Sequence, residues 1–436
     1  MLLAFKNHLK EQFPNTFEGK ILLAVSGGVD SVVLAHLCRE AGLDFSLAHC
    51  NFHLRGEESE GDEAFVMELA DALEAEVFIE GFETQAYAKE KKISIQMAAR
   101  DLRYNWFREL QETLQFDYVF TAHHANDNLE TVLINFIRGT GLEGLTGIPD
   151  VNDYTIRPLL PFTRKNIEDY AHLQKLKWRE DSSNDSVKYF RNKVRLEVIP
   201  KLLELNPQLL ESFSKTRSYL QQSSELIEDY ISALFPKIAR QEEYGYSFEI
   251  AKLQSIPNTK AVMYSLFRSF EFTEWEDVYA LLESQPGKIV YSKTHRLIRD
   301  RDKLLLTLLL PTEDKVYEIK ENEEVVMLPM GTFHFEAVED FENSDERTIF
   351  LDRDKIEYPF VVRKWREGDY FYPFGMKGKK KLSKFFKDEK LSLPQKENCW
   401  LLCSNDKIVW VIGHRPDARF AVKDETKQIL RLSYTP

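Results

Sequence analysis

The chain has few cysteines and no long apolar run. Its cysteines, Cys38, Cys50, Cys399 and Cys403, are too few and too scattered for a disulfide framework, and no Cys-x-x-Cys pair suggests a zinc site or an iron–sulfur cluster. No segment approaches the roughly 20 apolar residues of a membrane span, and the first residues lack the apolar core of a signal peptide. We therefore expect reduced thiols, neither zinc nor an iron–sulfur cluster, no membrane partner and a cytoplasmic location.

The chain also lacks an excess of positive charge, because 58 Lys and Arg face 71 Asp and Glu, for a formal net charge of −13. Taken alone, this balance argues against a nucleic-acid partner. The charge is unevenly distributed, however. Residues 361–396 contain eleven Lys and Arg against four Asp and Glu, interleaved with aromatic residues, and residues 157–195 contain ten against five. These segments predict local surfaces for phosphates and stackable bases, and a solvated charged face is the alternative.

Hydrophobic patterning predicts three regions in this 436-residue chain. In residues 1–208, strand-like and helical segments alternate, which is typical of an α/β fold with a doubly wound parallel sheet. Residues 209–315 begin with a long helical segment and predict a mainly helical or mixed middle domain. Residues 316–436 contain short strands separated by turns, so we expect a small β-rich C-terminal domain.

The most informative motif follows the first predicted strand. Apolar residues 21–25 lead into Ser26-Gly27-Gly28-Val29-Asp30-Ser31, and an apolar helical segment comes next. Paired glycines let backbone N–H groups approach an anion, and a helix N-terminus favours negative charge. The motif lacks the Gly-Lys-Ser/Thr ending of a Walker A loop. Residues 26–31, the phosphate loop, thus predict a nucleotide site, and an ordinary strand-to-helix turn is the alternative.

Polar loops follow two further predicted strands. In one, His49, Asn51, His53 and Arg55 lie within seven residues and suit an anion or a base better than a metal, since a third metal ligand is missing. An ordinary polar loop is the alternative.

In the other loop, Asp127 and Glu130 are at positions i and i+3 of a predicted helix start. On one helix face they could hold Mg²⁺ or an ammonium group, and helix capping is the alternative.

Taken together, these motifs resemble those of the tRNA(Ile)-lysidine synthetase family, within the PP-loop ATP pyrophosphatases. The resemblance runs in order through residues 26–31, 49–55, 99–104, 121–131, 138–148, 157–160, 181–184, 189–195, 366–369 and 374–379. One position departs from the family. Two adjacent aspartates often follow the histidine pair there, and the first of them is Asn126 here.

The resemblance implies an AMP-forming carbon–nitrogen ligase. It would use ATP to adenylate the C2 oxygen of the wobble cytidine in a CAU-anticodon tRNA(Ile), and then join free L-lysine to C2 to form lysidine, releasing AMP and pyrophosphate. Mg²⁺ would accompany ATP. The oligomeric state is left open, with a homodimer as one option.

The resemblance also implies roles for individual residues. The backbone of Ser26, Gly27, Gly28, Val29, Asp30 and Ser31 would bind ATP, and Asp30 would assist Mg²⁺ or the incoming amine. Asp127 and Glu130 would hold lysine, and Asp30, Asp127, Glu130 and Arg191 would form the catalytic group. The tRNA or its cytidine would be bound by His53, Arg55, Arg100, Arg103, Asn192, Arg195, Arg366, Lys379, Lys380 and Lys381.

Two other functions stay open at this point. A tRNA thiolation enzyme of the same PP-loop class would share the adenylation step. It would be expected to carry cysteines arranged for sulfur transfer, and Cys38 and Cys50 lack that arrangement. A non-catalytic RNA-binding protein with a degenerate nucleotide fold is the second. Its opposing evidence is four intact residues, Ser26, Asp30, Asp127 and Glu130.

Overall fold

The structure is a computed structural model that describes residues 1–180, 190–309, 315–341 and 345–436. The motif at residues 181–184 lies outside the described residues. The chain divides into two compact units, Met1–Leu226 and Ile227–Pro436. The three predicted domain ranges stay a prediction. Within the described ranges, no helix combines the length and the apolar character needed to cross a bilayer.

The first unit contains a mostly parallel sheet with helices on its faces. Its strands are β1 (Lys20–Ala24), β2 (Asp44–Asn51), β3 (Val77–Gly81), β4 (Tyr118–Phe120), β5 (Val151–Asn152) and β6 (Thr155–Ile156). Its helices are α1 (Leu2–Gln12), α2 (Val29–Ala41), α3 (Glu57–Leu73), α4 (Thr84–Lys91), α5 (Ile95–Leu114), α6 (Ala125–Arg138), α7 (Leu142–Leu145), α8 (Arg164–Leu173), α9 (Phe190–Lys193), α10 (Ile199–Leu205) and α11 (Leu209–Ile238), the last of which contains the boundary between the units.

The sheet is buried on both faces, which explains why its strands are continuously apolar. Ile21 and Leu23 of β1 belong to a core cluster that includes residues of α2, whereas Leu22 between them belongs to a cluster with Phe107 of α5. This alternation is what a strand between two helical layers requires. The predicted doubly wound α/β fold is confirmed for this unit.

The order of strands in this sheet is β3-β2-β1-β4-β6-β5. Strands β1 to β4 and β6 pair in parallel, and β5 adds an antiparallel edge that the sequence patterning did not predict. From β1 the chain proceeds to β2 and β3 on one side and later returns to β4 on the other. Ligands of such sheets bind at this reversal, beyond the carboxyl ends of the strands. The loops after β1, β2 and β4 all begin there.

The second unit begins with helices packed on an antiparallel sheet. Its first elements are β7 (Ala239–Glu242), β8 (Gly245–Glu249), α12 (Ile250–Ser255), α13 (Thr259–Phe267), α14 (Trp275–Ala280), β9 (Ile289–Tyr291), β10 (His295–Asp300) and β11 (Lys303–Leu308). The sheet has the order β7-β8-β11-β10-β9. Phe248, Met263, Phe267 and Leu297 lie at the centre of this core. The predicted long helix is confirmed as α11.

The rest of the second unit is β-rich, as predicted. Its elements are β12 (Tyr317–Ile319), β13 (Val325–Leu328), β14 (Gly331–Val338), β15 (Thr348–Asp352), β16 (Phe360–Lys364), β17 (Tyr370–Phe371), β18 (Lys380–Lys381), α15 (Leu382–Asp388), α16 (Leu393–Glu397), β19 (Trp400–Ser404), β20 (Lys407–Val411) and β21 (Ile429–Thr435). Two antiparallel sheets, β12-β16-β19-β20 and β13-β14-β21-β15, enclose a core with Phe333, Phe360 and Trp410. The short β17–β18 pair carries lysines of the predicted basic surface.

Candidate active site

The phosphate loop joins the end of β1 to the start of α2. Gly27 has a φ of +88°, a conformation that glycine adopts readily and other residues rarely. The Ser31 hydroxyl donates to the Gly28 carbonyl at 2.9 Å and accepts from the Ser26 N–H at 3.2 Å. The first N–H groups of α2 have no partner within the helix by construction, which makes this turn suited to an anion. The geometry therefore agrees with the phosphate cradle that the motif predicts.

Asp30 lies in the first turn of α2 and contacts side chains from two other segments. Its Oδ2 atom accepts from Arg164 Nη1, and its Oδ1 atom lies 3.6 Å from His124 Nε2. Oδ1 is buried and has no hydrogen-bond partner among the described residues. Burial raises the pKa of the Asp30 carboxyl, and the charges of His124 and Arg164 only partly oppose this rise. Asp30 is thus held in place with one oxygen still available.

Arg164 is a site residue that the sequence analysis missed. Its N–H donates to Asn126 Oδ1 at 2.9 Å, while its Nε atom donates to Glu168 at 2.7 Å. An amide oxygen and a carboxylate oxygen can both accept from an N–H, so Asn126 keeps the contact that an aspartate could make. A cation at the first position of a helix is unfavourable with the helix dipole. In α8 that unusual placement was a local signal that Arg164 needs a carboxylate partner, but it does not identify Asp30 as that partner.

His124 is the N-cap of α6 and lies between two carboxylates. Its Nδ1 atom accepts from the Asp127 N–H at 3.4 Å, and Asp127 Oδ2 accepts from the His124 N–H at 3.1 Å. The other ring nitrogen, Nε2, lies near both carboxylates. That atom is 3.5 Å from Asp127 Oδ2 and 3.6 Å from Asp30 Oδ1. Asp127 therefore does cap α6, as its alternative interpretation predicts. Through His124, the same capping contacts also link Asp127 to Asp30 of the phosphate loop.

Asp127 and Glu130 share one face of α6, as predicted, and both contact two arginines. Glu130 has a side chain only 2% exposed, and it accepts from Arg191 Nε at 2.8 Å and from Arg195 Nε at 2.6 Å. Asp127 Oδ1 lies 3.3 Å from Arg195 Nη2 and 3.5 Å from Arg191 Nη2. The arginines belong to α9 and to the π-helical turn Val194–Val198 that follows it. A buried acidic pair thus binds cationic groups in this structure.

The electrostatics of this cluster favour an ionised Asp127. Burial by itself would raise the pKa of Asp127, but the charges of His124 and Arg191 and the hydrogen bond from the His124 N–H outweigh burial, so the pKa lies below its usual range. For the neighbouring His123 imidazole, burial is the larger effect. Burial lowers the pKa of His123 to about 4, so this ring is neutral at pH 7. The site therefore combines a charged carboxylate with an uncharged imidazole.

The loop after β2 carries the next predicted residues. Arg55 Nη2 donates to Asp62 of α3 at 2.8 Å, and His53 is exposed with a φ of +49°. On α5, the Arg103 guanidinium lies 5.3 Å from the centroid of the Phe52 ring, and Arg100 lies 4.8 Å from that of Tyr104.

Arg103 also reaches towards the loop after β4. Its charge contributes to the low pKa of His123. Arg103 is therefore close enough to His123 for its charge to act on that ring.

The predicted tRNA-binding residues near the C-terminus belong to the second unit. The Lys379 Nζ atom lies 3.3 Å from the Tyr370 ring centroid, and Lys380 pairs with Asp388 at 2.9 Å. Arg366, Lys379 and Lys381 are exposed. The Arg366 N–H donates to the Asp369 carboxylate at 2.7 Å and so shapes a turn. This surface presents cations beside an aromatic ring, although Lys380 already has a carboxylate partner.

Comparisons with known proteins agree along most of the chain. Three family descriptions match it: a PP-loop domain over residues 1–202, a TilS substrate binding domain over residues 241–310, and a TilS substrate C-terminal domain over residues 360–434.

Curated relatives match over nearly their whole length. The tRNA(Ile)-lysidine synthases of Parabacteroides distasonis and Bacteroides thetaiotaomicron are 41% and 38% identical, and 95% of this chain and 95% of each relative are covered. That of Clostridium perfringens is 31% identical with the same coverage. Identity of this extent, together with the three matched domains, means that the chain belongs to the tRNA(Ile)-lysidine synthase family.

Proposed function

We propose that this protein is an ATP-dependent ligase that attaches L-lysine to C2 of the wobble cytidine in a CAU-anticodon tRNA(Ile). The observation that carries the proposal is the contact of His124 with both Asp30 and Asp127. It joins an anion-binding loop to a buried acidic pair within a single cluster. A nucleotide and a cationic amine could therefore meet at one place.

ATP binding at the phosphate loop is supported by the loop's own geometry. The Ser31 hydroxyl fixes the turn internally, because it accepts from the Ser26 N–H at 3.2 Å and donates to the Gly28 carbonyl at 2.9 Å, and the first N–H groups of α2 are left for an anion. Arg164 supplies a guanidinium group beside Asp30. Guanidinium groups suit phosphate oxygens as well as carboxylates.

Lysine binding at Asp127 and Glu130 is supported by the cations that these residues already contact. Arg191 and Arg195 satisfy the buried Glu130 carboxylate from two sides. A buried carboxylate needs a compensating cation, and an ammonium group can meet that need. In this proposal the ε-ammonium group of lysine takes the place of one guanidinium group. The displaced arginine is then free to bind phosphate or the cytidine.

Mg²⁺ is the second cofactor in the proposal. The buried Asp30 Oδ1 atom, which has no hydrogen-bond partner among the described residues, suits a hard cation. Mg²⁺ is commonly held by one or two carboxylates together with substrate phosphates, and Asp30 would be such a carboxylate. When bound, the ion neutralises phosphate charge. Within the described ranges, no group of three or more His, Cys, Asp or Glu side chains could hold a metal by itself.

The chemistry proceeds in two displacements. First, the cytosine O2 atom bonds to the α-phosphorus of ATP, the bond to the β-phosphate oxygen breaks, and pyrophosphate leaves. Second, the lysine Nε atom bonds to C2, the C2–O bond breaks, and AMP leaves with that oxygen. The ammonium group must lose a proton before it attacks, and a carboxylate that binds it is close enough to accept that proton.

The tRNA would contact residues of both units. In the first unit these would be His53, on the loop after β2, and Arg100 and Arg103, on α5. The exposed residues Arg366, Lys379 and Lys381 would bind the RNA backbone, as cations beside an aromatic ring suit phosphates and bases. The proposal also includes a cytoplasmic location, and light scattering tests whether the chain forms a homodimer.

Release of AMP from labelled ATP tests the proposal. The reaction contains Mg²⁺, free lysine and unmodified CAU-anticodon tRNA(Ile), and each component is omitted in turn. AMP formation that needs both tRNA and lysine, with labelled lysine entering the RNA, is the expected result.

Other outcomes point to the two alternative functions. AMP release that needs tRNA but is indifferent to lysine contradicts the lysine step and favours another PP-loop modification. Absence of release, with tRNA still bound, favours a binding protein. The Asp127→Asn variant is the matched control, because it should retain the fold and lose transfer of lysine.

A further inference from the structure

Arg179 contacts the phosphate loop, although no motif pointed to it. Its N–H donates to the Gly27 carbonyl at 3.0 Å, and its Nε atom donates to Asp62 Oδ1 on α3. The other oxygen of Asp62 accepts from Arg55 at 2.8 Å. One carboxylate therefore ties two arginines from distant parts of the sequence together beside the phosphate loop.

The residues around Arg179 hold its main chain and leave space for its side chain. Trp178 precedes it and packs against the core of the first unit, with its ring 5.2 Å from that of His172 in an edge-on arrangement. Gly61 of α3 leaves room for the guanidinium group, because a Cβ atom there would lie 2.9 Å from Arg179 Nη2. Packing of Trp178 thus holds the main chain of Arg179 in place, and the space at Gly61 lets its guanidinium group lie against α3.

The contacts of Arg179 act on Gly27, the residue of the phosphate loop with the least restricted backbone. Gly27 has a φ of +88° and presents its carbonyl to Arg179, so the hydrogen bond fixes the orientation of that peptide group. The Asp62 side chain is 11% exposed, and a buried carboxylate holds its cationic partners firmly. Arg179 therefore connects a conformationally permissive glycine to a rigid helix.

We propose that Arg179 is a positioning residue of the ATP site, which holds the Gly27 peptide group through its main chain and anchors that contact to α3 through Asp62. The inference rests on the proposed binding of ATP at the phosphate loop. Arg179 makes its contacts with the loop and with α3, not with the pair Asp127 and Glu130. Its loss therefore weakens the binding of ATP and leaves the binding of lysine unchanged.

The test compares Arg179→Ala and Arg179→Lys with Arg39→Ala. Arg39 pairs with Glu74 at the far end of α2, so its variant removes an ion pair in the same unit away from the loop. We measure KM for ATP and for lysine, and the Kd of a non-hydrolysable ATP analogue by calorimetry. In Arg179→Ala, KM for ATP and the Kd rise by about 10- to 100-fold, the loss expected for one hydrogen bond to a charged group. Arg179→Lys recovers part of this loss.

Hydrogen exchange gives a readout that does not depend on activity. In Arg179→Ala, the peptide that covers the phosphate loop exchanges faster, while the core strands of the first unit keep their wild-type rates. Arg39→Ala leaves the exchange of the loop unchanged. Should Arg179→Ala fail to fold, Asp62→Asn removes the anchoring charge and keeps Arg179, and the same rise in KM for ATP is expected.

The outcomes separate this inference from the proposed function. If the wild-type protein binds the analogue and Arg179→Ala binds it equally well, the role of Arg179 is wrong and the proposed function stands. If the wild-type protein does not bind the analogue at all, the proposed function itself fails. Equal rises in KM for ATP and for lysine, with a lower Tm, show a role in folding only and also overturn the inference.

Discussion

The Nε2 atom of His124 lies 3.6 Å from Asp30 Oδ1, the carboxylate oxygen that has no hydrogen-bond partner among the described residues. The same Nε2 atom lies 3.5 Å from Asp127 Oδ2. His124 therefore links the phosphate loop to the start of α6, where the acidic pair begins. Removal of its ring disconnects these two parts of the site.

For His124→Gln, we expect kcat/KM for lysine to fall by about 10- to 100-fold, as for the loss of one hydrogen bond to a charged group. The charge of His124 is the largest of those that lower the pKa of Asp127, so this pKa rises in the variant. Asp127 then ionises only at higher pH. The acid limb of the pH profile accordingly moves to higher pH. His36→Gln, on α2, is the control, and an unmoved acid limb would contradict the assigned electrostatic role.

The variant Glu130→Gln separates two roles of this carboxylate. If it binds the lysine ammonium group, KM for lysine rises by about tenfold or more and KM for ATP stays within about twofold, because one full charge is lost from a buried ion pair. Steady-state kinetics with each substrate varied measure this difference. A rise in KM for ATP alone would instead mean that Glu130 serves to hold Arg191 and Arg195. Glu74→Gln, in an exposed ion pair, is the control.

Gly27→Ala tests the backbone of the phosphate loop. A Cβ atom at Gly27 would lie 3.5 Å from Phe65, an ordinary contact, so the cost comes from the φ of +88°. We expect KM for ATP to rise by about tenfold, which corresponds to the strain of a left-handed conformation. Gly42→Ala is a closely matched control. Gly42 has a φ of +77° at the end of α2, and a Cβ atom there would meet no described atom within 4 Å. It should lower Tm without changing KM for ATP.

For Lys379→Ala and Lys381→Ala we expect weaker tRNA binding. Each lost phosphate contact lowers the slope of log K against log salt by about 1. Filter binding at several salt concentrations measures this slope. Lys427→Ala removes an exposed lysine outside residues 361–396 and should leave it unchanged. A slope that stays at the wild-type value in both test variants would show that these lysines do not contact the RNA.

The double variant Cys38→Ser and Cys50→Ser tests the thiolation alternative. Cys38 is buried, and burial raises the pKa of Cys50 to about 12, so neither is a ready thiolate nucleophile at pH 7. We expect AMP release and lysine transfer to persist in this variant at near wild-type rates. A complete loss of both in a protein that still melts cooperatively would revive a sulfur-transfer step.

The sequence predicted those parts of the site that depend on local pattern. The apolar strand, the paired glycines and the helix start of the phosphate loop are consecutive in the chain, and Asp127 and Glu130 share a face of α6 by helical spacing alone. These elements were confirmed because the neighbouring residues impose them. The fold class followed from the alternation of strands and helices in the same way.

Contacts between distant segments could not be predicted in this way. Arg164 is more than one hundred residues from Asp30, and Arg179 is equally remote from Asp62. Single arginines in polar helices or loops carry no periodic signal, and their partners depend on how the sheet brings the segments together. The arginines on Glu130 were named from the resemblance, but their contact with that carboxylate was not expected. The antiparallel strand β5 is too short for patterning to reveal.

Asn126 accepts from the Arg164 main chain with an uncharged oxygen. An aspartate at that position would make the same bond and would add a full negative charge within the cluster that already holds Asp30, Asp127 and Glu130. That added negative charge would repel any polyanion that enters the site. In this protein, the approach of a triphosphate therefore meets a lower electrostatic barrier, and its capture depends less on screening by dissolved salt.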